Sequence, residues 1–153
     1  MAVADTLSYD EMVLEVEFTA ESGTYTKICG ITGVTINRSA NVTTSEIPDC
    51  DDETVPHSVV RDVRSIEVTA SGTGVWAMSS HPAMHDWFYS GASKNARLRN
   101  TKVESEGTSG DPYQESGPAI LASLSNERPD DKGRVTAQVE IQFSGTPTVT
   151  EVS

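Results

Sequence analysis

His81 and His85 stand four residues apart, the spacing by which one turn of helix offers two imidazoles to a single zinc ion. Pro82, however, occupies the place where a zinc peptidase carries its general-base glutamate, so His81 reads as a residue at the start of a helix. Asp49, Asp51 and Glu53 alternate as the first ligands of a calcium loop do, yet Thr54 replaces the sharp-turn glycine and Val60 the bidentate glutamate. A solvated acidic loop is the expectation there. Gly72-Thr73-Gly74 lacks the third glycine and the following helix of a phosphate cradle, and it reads as a turn. No Gly-x-Ser-x-Gly elbow is present, and no Cys or Ser has a His in a recognisable catalytic setting. Asn37-Arg38-Ser39 and Asn41-Val42-Thr43 match the glycosylation pattern as coincidences of a Ser/Thr-rich chain. Cys29 and Cys50 have no second cysteine at metal-finger spacing, and two buried, reduced thiols are expected, with a late disulfide between them as the alternative. The residues point away from catalysis and from a bound cofactor or metal.

Bulk charge narrows the partners. Eleven Lys and Arg against 23 Asp and Glu leave a net charge of −12 on 153 residues. A nonspecific DNA binder neutralises about 6–10 phosphates, which would take most of these scattered cations on one face. Tight binding to nucleic acid or to an anionic membrane is therefore disfavoured, whereas repulsion of DNA is compatible with the charge. No basic-then-apolar leader and no apolar run of bilayer length occurs, so synthesis in the cytoplasm is expected, with no membrane partner. The length suits one domain spanning residues 1–153.

The elements that must position these residues are mostly strands. Residues 1–13 carry no periodic pattern and read as a flexible arm. Leu14, Val16 and Phe18 alternate with acids, and short extended segments follow around Gly30 and Gly33, with another over Val42–Ile47. Pro48 to Pro56 is acidic and proline-bounded, and it marks the centre of a long loop over residues 38–62. Ile66, Val68 and Ala70 resume the alternation, with a turn at Gly72 and Gly74. One helix is predicted from about Pro82 to Ser90, with Met84, Trp87 and Phe88 as an apolar stripe packing on the sheet. Strands are predicted over 96–104, 119–124 and 134–144, separated by polar loops over 105–117 and 125–133 and followed by a tail over 145–153. The fold class is mainly β: a β-sandwich or partial barrel of about seven or eight strands with one short flanking α-helix.

Read in order, the segments CGITGVTINRSANVTTSEIPDCDDETVP, RSIEVTASGTG, MHDWFYSGASKNARLRN, GPAILASLSN and RVTAQVEIQFSGTPT resemble the tail tube, or major tail, proteins of long-tailed phages, and most closely those of gene transfer agents. The resemblance runs from about Leu14 to Pro147. It implies a structural subunit without catalysis or cofactor. Copies would close into rings of six, and the rings would stack into a hollow tube through which DNA leaves the capsid. Its partners would be itself, the tape measure, the tail terminator and the baseplate hub, with DNA passing the lumen unbound. The subunit would be made in the bacterial cytoplasm and assembled into the tail of a virion or gene transfer agent particle. In this family an extended loop between early strands reaches the next ring, which places the inter-ring contact at Asp49, Asp51, Asp52, Glu53 and Val55. The rival reading is a β-sandwich binding module for carbohydrate, with Trp76, Trp87 and Tyr113 as stacking residues.

Overall fold

The structure, a computed structural model, describes residues 3–153. Alternation builds its strands: β1 (Met12–Val16) turns Leu14 and Val16 inward, and the later strand Thr136–Phe143 does the same with Ala137, Val139, Ile141 and Phe143. In chain order the elements are β1, β2 (Thr26–Lys27), β3 (Ile31–Ile47), β4 (Ser58–Val75), α1 (His81–Ser90), β5 (Lys94–Asn100), α2 (Thr101–Glu106), β6 (Pro112–Glu127), β7 (Thr136–Phe143) and β8 (Thr148–Glu151). All eight strands join one antiparallel sheet, ordered β2-β1-β5-β6-β7-β4-β3, with β8 on β6. The sheet curls, because Met12 and Leu14 of β1 share a groove with Ile31 and Val34 of β3 although the two strands lie near opposite ends of that order. A partial barrel results.

The helix α1 covers the core. Pro82 sits in its first turn, where a missing N–H costs nothing, and Gly91 ends it in the left-handed conformation at φ 65°. Met84 and Trp87 are completely buried, each worth about 1.5–3 kcal/mol of apolar burial, and Phe88 packs at the border of the same cluster. Burying an indole requires a partner for its N–H. The Trp87 Nε1–H donates to the Ala92 carbonyl at 2.9 Å, and the Phe18 ring meets Trp87 edge-on at 6.2 Å.

Several segments differ from the sequence expectations. Residues 38–62 are for the most part a two-stranded hairpin: β3 continues to Ile47, β4 begins at Ser58, and only 48–57 is loop. Gly72 and Gly74 lie inside β4, without a turn. A Cβ on Gly72 would stand 2.7 Å from the Ile31 side chain, and one on Gly74 would stand 2.1 Å from the Gly30 carbonyl oxygen, so both glycines answer a close approach. The strand expected to end at residue 104 stops at Asn100 and gives way to α2, and β6 starts early, with Pro112 as its first residue.

The ends of the chain are also more ordered than expected. Within the expected arm, Tyr9–Glu11 forms a 3-10 turn and the Lys102 ammonium donates to Asp5 at 2.5 Å and to the Thr6 carbonyl at 3.2 Å; residues 1 and 2 lie outside the described residues. Much of the expected tail is β8, which pairs with the start of β6.

Candidate assembly surface

The paired strands β3 and β4 outrun the rest of the sheet. β7 accompanies β4 only from Thr69 to Val75, so the hairpin between Arg38 and Val68 extends alone. Some ten residues per strand at about 3.3 Å each make an arm of roughly 30 Å. A lone two-stranded ribbon is marginal in water. One face must therefore explain why it is kept.

Register identifies that face. Opposite residues in an antiparallel pair share a side, and Ile36 with Ala70 lies on the core side. Moving outward, the same side carries Arg38 with Val68, Ala40 with Ile66, Val42 with Val63, Thr44 with Arg61, and Glu46 with Val59. A bulge at Arg64 makes this possible: Asn41 pairs with Ser65 but Val42 pairs with Val63, so β4 changes parity and turns Val63 and Val59 to the side of Ile66. The core side of the sheet thus runs on as an uncovered apolar stripe, in which Val42, Val59, Val63 and Ile66 are all about half exposed or more. The other side is mostly polar, with Ser39 opposite Glu67 and the Asn41 amide donating to Ser65 Oγ at 2.7 Å, and it carries Val60 and Ile47 only toward the tip.

An ion pair anchors the root of the arm. The Arg38 guanidinium binds Glu115 of β6, and Glu115 lies beside the buried Leu98 on the core side. This fork spans the mouth of the curled sheet and raises the Arg38 pKa further, chiefly through the hydrogen bond.

The tip gathers the sequence-predicted contact residues Asp49, Asp51, Asp52, Glu53 and Val55, all solvent-exposed. Asp49 Oδ1 accepts the N–H groups of Asp51 and Asp52 at 2.8 and 3.3 Å, and Asp52 Oδ1 accepts the Thr54 N–H at 3.0 Å and the Thr54 hydroxyl at 2.5 Å. The Thr54 hydroxyl, and after it the Thr54 N–H, holds the Asp52 carboxyl below the usual carboxylate range. Asp49 and Asp52 thus hold turns while the Asp51 and Glu53 carboxylates face solvent, and among the described residues no three His, Cys, Asp or Glu gather as a metal site.

The remaining candidates fall elsewhere. His81 Nδ1 accepts the Trp76 indole N–H at 2.8 Å, and its ring lies 4.4 Å from that of His85, so both histidines belong to an aromatic stripe along α1 that continues to Tyr89. Trp87 is in the core, out of reach of any sugar. Cys29 and Cys50 are both free and exposed, contrary to the expected buried pair: Cys29 lies where the chain bends from β2 into β3, and Cys50 is on the arm tip.

One cluster escaped the sequence reading. Glu15 is nearly buried on the outer side of β1, opposite Arg97, which donates Nε–H to it at 2.9 Å while its guanidinium lies 4.2 Å from the Tyr25 ring. Arg99 approaches the same carboxylate at 3.5 Å and Glu104 at 3.7 Å, without alignment for a hydrogen bond from its Nε. Strict alternation marks Glu15 as a solvent-facing position. The basic pair Arg97 and Arg99, two residues apart on β5, was the available signal.

A curled antiparallel sheet with a projecting arm and an uncovered apolar stripe defines a mainly β class of protein. The comparisons with known proteins give that class a family. The family model described as "phage tail tube protein" matches residues 7–149, and the chain belongs to that family. Its fold is similar to the tail of an empty gene transfer agent particle refined with C6 symmetry, at TM-score 0.71 and 14% identity over 95% of this chain and 99% of that one. It is similar also to the SPP1 tail tube, at TM-score 0.68 and 14% identity over 97% and 81%. A third likeness is to the sheath–tube complex of the extracellular contractile injection system PVC, at TM-score 0.63 and 11% identity over 96% and 93%. A search of the curated proteins by sequence finds no match.

Proposed function

We propose that this chain is the wall subunit of a hollow tail tube, closing into six-membered rings that stack into a conduit for DNA. Membership of the tail tube family and the C6 symmetry of the similar gene transfer agent tail support the reading. The observation that carries it is the apolar stripe of Val42, Val59, Val63 and Ile66, which a lone monomer leaves in water. A second copy covers it. The outer edge of β3 is also unpaired in the sheet, and strand addition from a neighbour satisfies such an edge.

Six chains of −12 each put about −72 on a ring, and the share of that charge lining the lumen keeps phosphates from adhering to the wall. Screening confines the repulsion to about 8 Å from the surface at physiological salt. The subunit acts without catalysis or cofactor, in the tail of a virion or gene transfer agent particle. Its partners are further copies, the tape measure, the tail terminator and the baseplate hub. Sedimentation velocity over a concentration series tests the reading. Growth from 16.4 kDa monomer to a six-chain species and heavier stacks is expected. Monomer at every concentration, with tail-initiating partners added, contradicts it.

A further inference from the structure

We propose that the acidic tip of the arm of one copy seats in a shallow apolar hollow at the opposite pole of the next copy, lined by Val75, Trp76, Met78, His81, Arg134 and Val135. The inference rests on the tube reading and names the surface that the arm meets.

Position comes first. β4 runs from Ser58 at the arm tip to Val75 at the hollow, so the two features mark opposite ends of an 18-residue strand. Stacking by repeated translation is a head-to-tail contact, in which whatever protrudes at one pole must meet a different surface at the other.

Chemistry agrees with position. Met78 is 89% exposed, and Val75 and Val135 are exposed beside it, an apolar surface that nothing in the monomer covers. Its floor is firm, because the Trp76 N–H donates to the Val135 carbonyl at 2.8 Å. Arg134 supplies its one lining cation, from a loop of mixed charge in which Arg128 and Lys132 flank Asp130 and Asp131, and Arg134 is in no ion pair among the described residues. His81 adds a donor. With Nδ1 accepting from Trp76, the neutral ring carries its proton on Nε2.

The tip is the complement. Between Ser39 and Val60 the chain has the carboxylates Glu46, Asp49, Asp51, Asp52 and Glu53 and no Lys or Arg, with Ile47 and Val55 exposed among them. Ile47 and Val55 meet the apolar floor and the carboxylates meet Arg134 and the His81 Nε2–H, the arrangement of a specific interface with a dry centre and a charged margin.

Cys50, exposed on the tip, makes the contact measurable. In tubes of a Cys29→Ser/Met78→Cys variant, copper-phenanthroline oxidation is expected to yield a ladder of covalent multimers on a non-reducing gel, since each copy then carries one thiol at each pole. Adding Cys50→Ser should abolish the ladder beyond dimers. As an independent measurement, Lys132→Glu/Arg134→Glu should shorten the stacks at least tenfold, and Asp51→Lys/Glu53→Lys in the same chain, which leaves the Asp52 turn intact, should restore them. Stacks of wild-type length from the reversed-rim variant, or tubes of the cysteine variant that yield no ladder, overturn the docking and leave the tube reading intact. Wild-type protein that forms no tubes at all overturns the tube reading itself.

Discussion

Val42 and Val63 face each other across the arm with 51% and 61% of their surfaces exposed, brought to one side by the bulge at Arg64. Side chains so exposed contribute little to monomer stability, so Val42→Thr/Val63→Thr should leave the unfolding free energy within about 0.5 kcal/mol of wild type. Assembly should respond instead, with the critical concentration for stacks rising at least tenfold. Normal assembly alongside unchanged stability would show that the stripe is not an interface.

Glu15 is the opposite case, a nearly buried carboxylate shared by Arg97 and Arg99. Glu15→Ala leaves two partly buried guanidinium groups without their shared anion and should cost about 3 kcal/mol in chemical denaturation. A loss below about 0.5 kcal/mol would reduce the cluster to surface decoration.

Gly72 is required by its neighbours, Ile31 at 2.7 Å and Val139 at 3.2 Å from where a Cβ would stand. Gly72→Ala should destabilise the fold by about 1–3 kcal/mol through overpacking. Coupled loss of stability at Ile31→Ala/Gly72→Ala, which removes the Ile31 γ2 methyl, smaller than the sum of the single changes identifies the contact.

Asp52 titrates below the ordinary aspartate range because Thr54 donates to its ionised form. A depressed folded value means that the turn gains from this bond above the unfolded aspartate pKa and loses it as pH falls through the lowered one. In an NMR titration, Thr54→Val should move the Asp52 midpoint upward, the Thr54 N–H bond remaining. An unmoved midpoint would remove the hydroxyl as the cause.

The sequence disclosed what depends on local pattern. β7 alternates without interruption, and α1 has Pro82 and Gly91 at its ends, so both were legible from spacing alone. The arm was not, because its apolar residues change parity at Arg64 and its polar face is Ser/Thr-rich, which together imitate a loop. Gly72 and Gly74 imitated a turn for a related reason: their need for glycine comes from Ile31 at the start of β3 and Gly30 in the bend before it, some forty residues away. The tip residues Asp49 to Val55 were legible as an exposed acidic segment, while the hollow around Met78 and Val135 appears only when β4 and β7 are brought side by side.

Whether this chain makes the wall of a tube is visible in negative-stain electron microscopy of concentrated protein across a salt series. Rings and hollow tubes of one constant width are the predicted result. Dispersed monomers or shapeless aggregates at every salt concentration, with tail-initiating partners present, would contradict it.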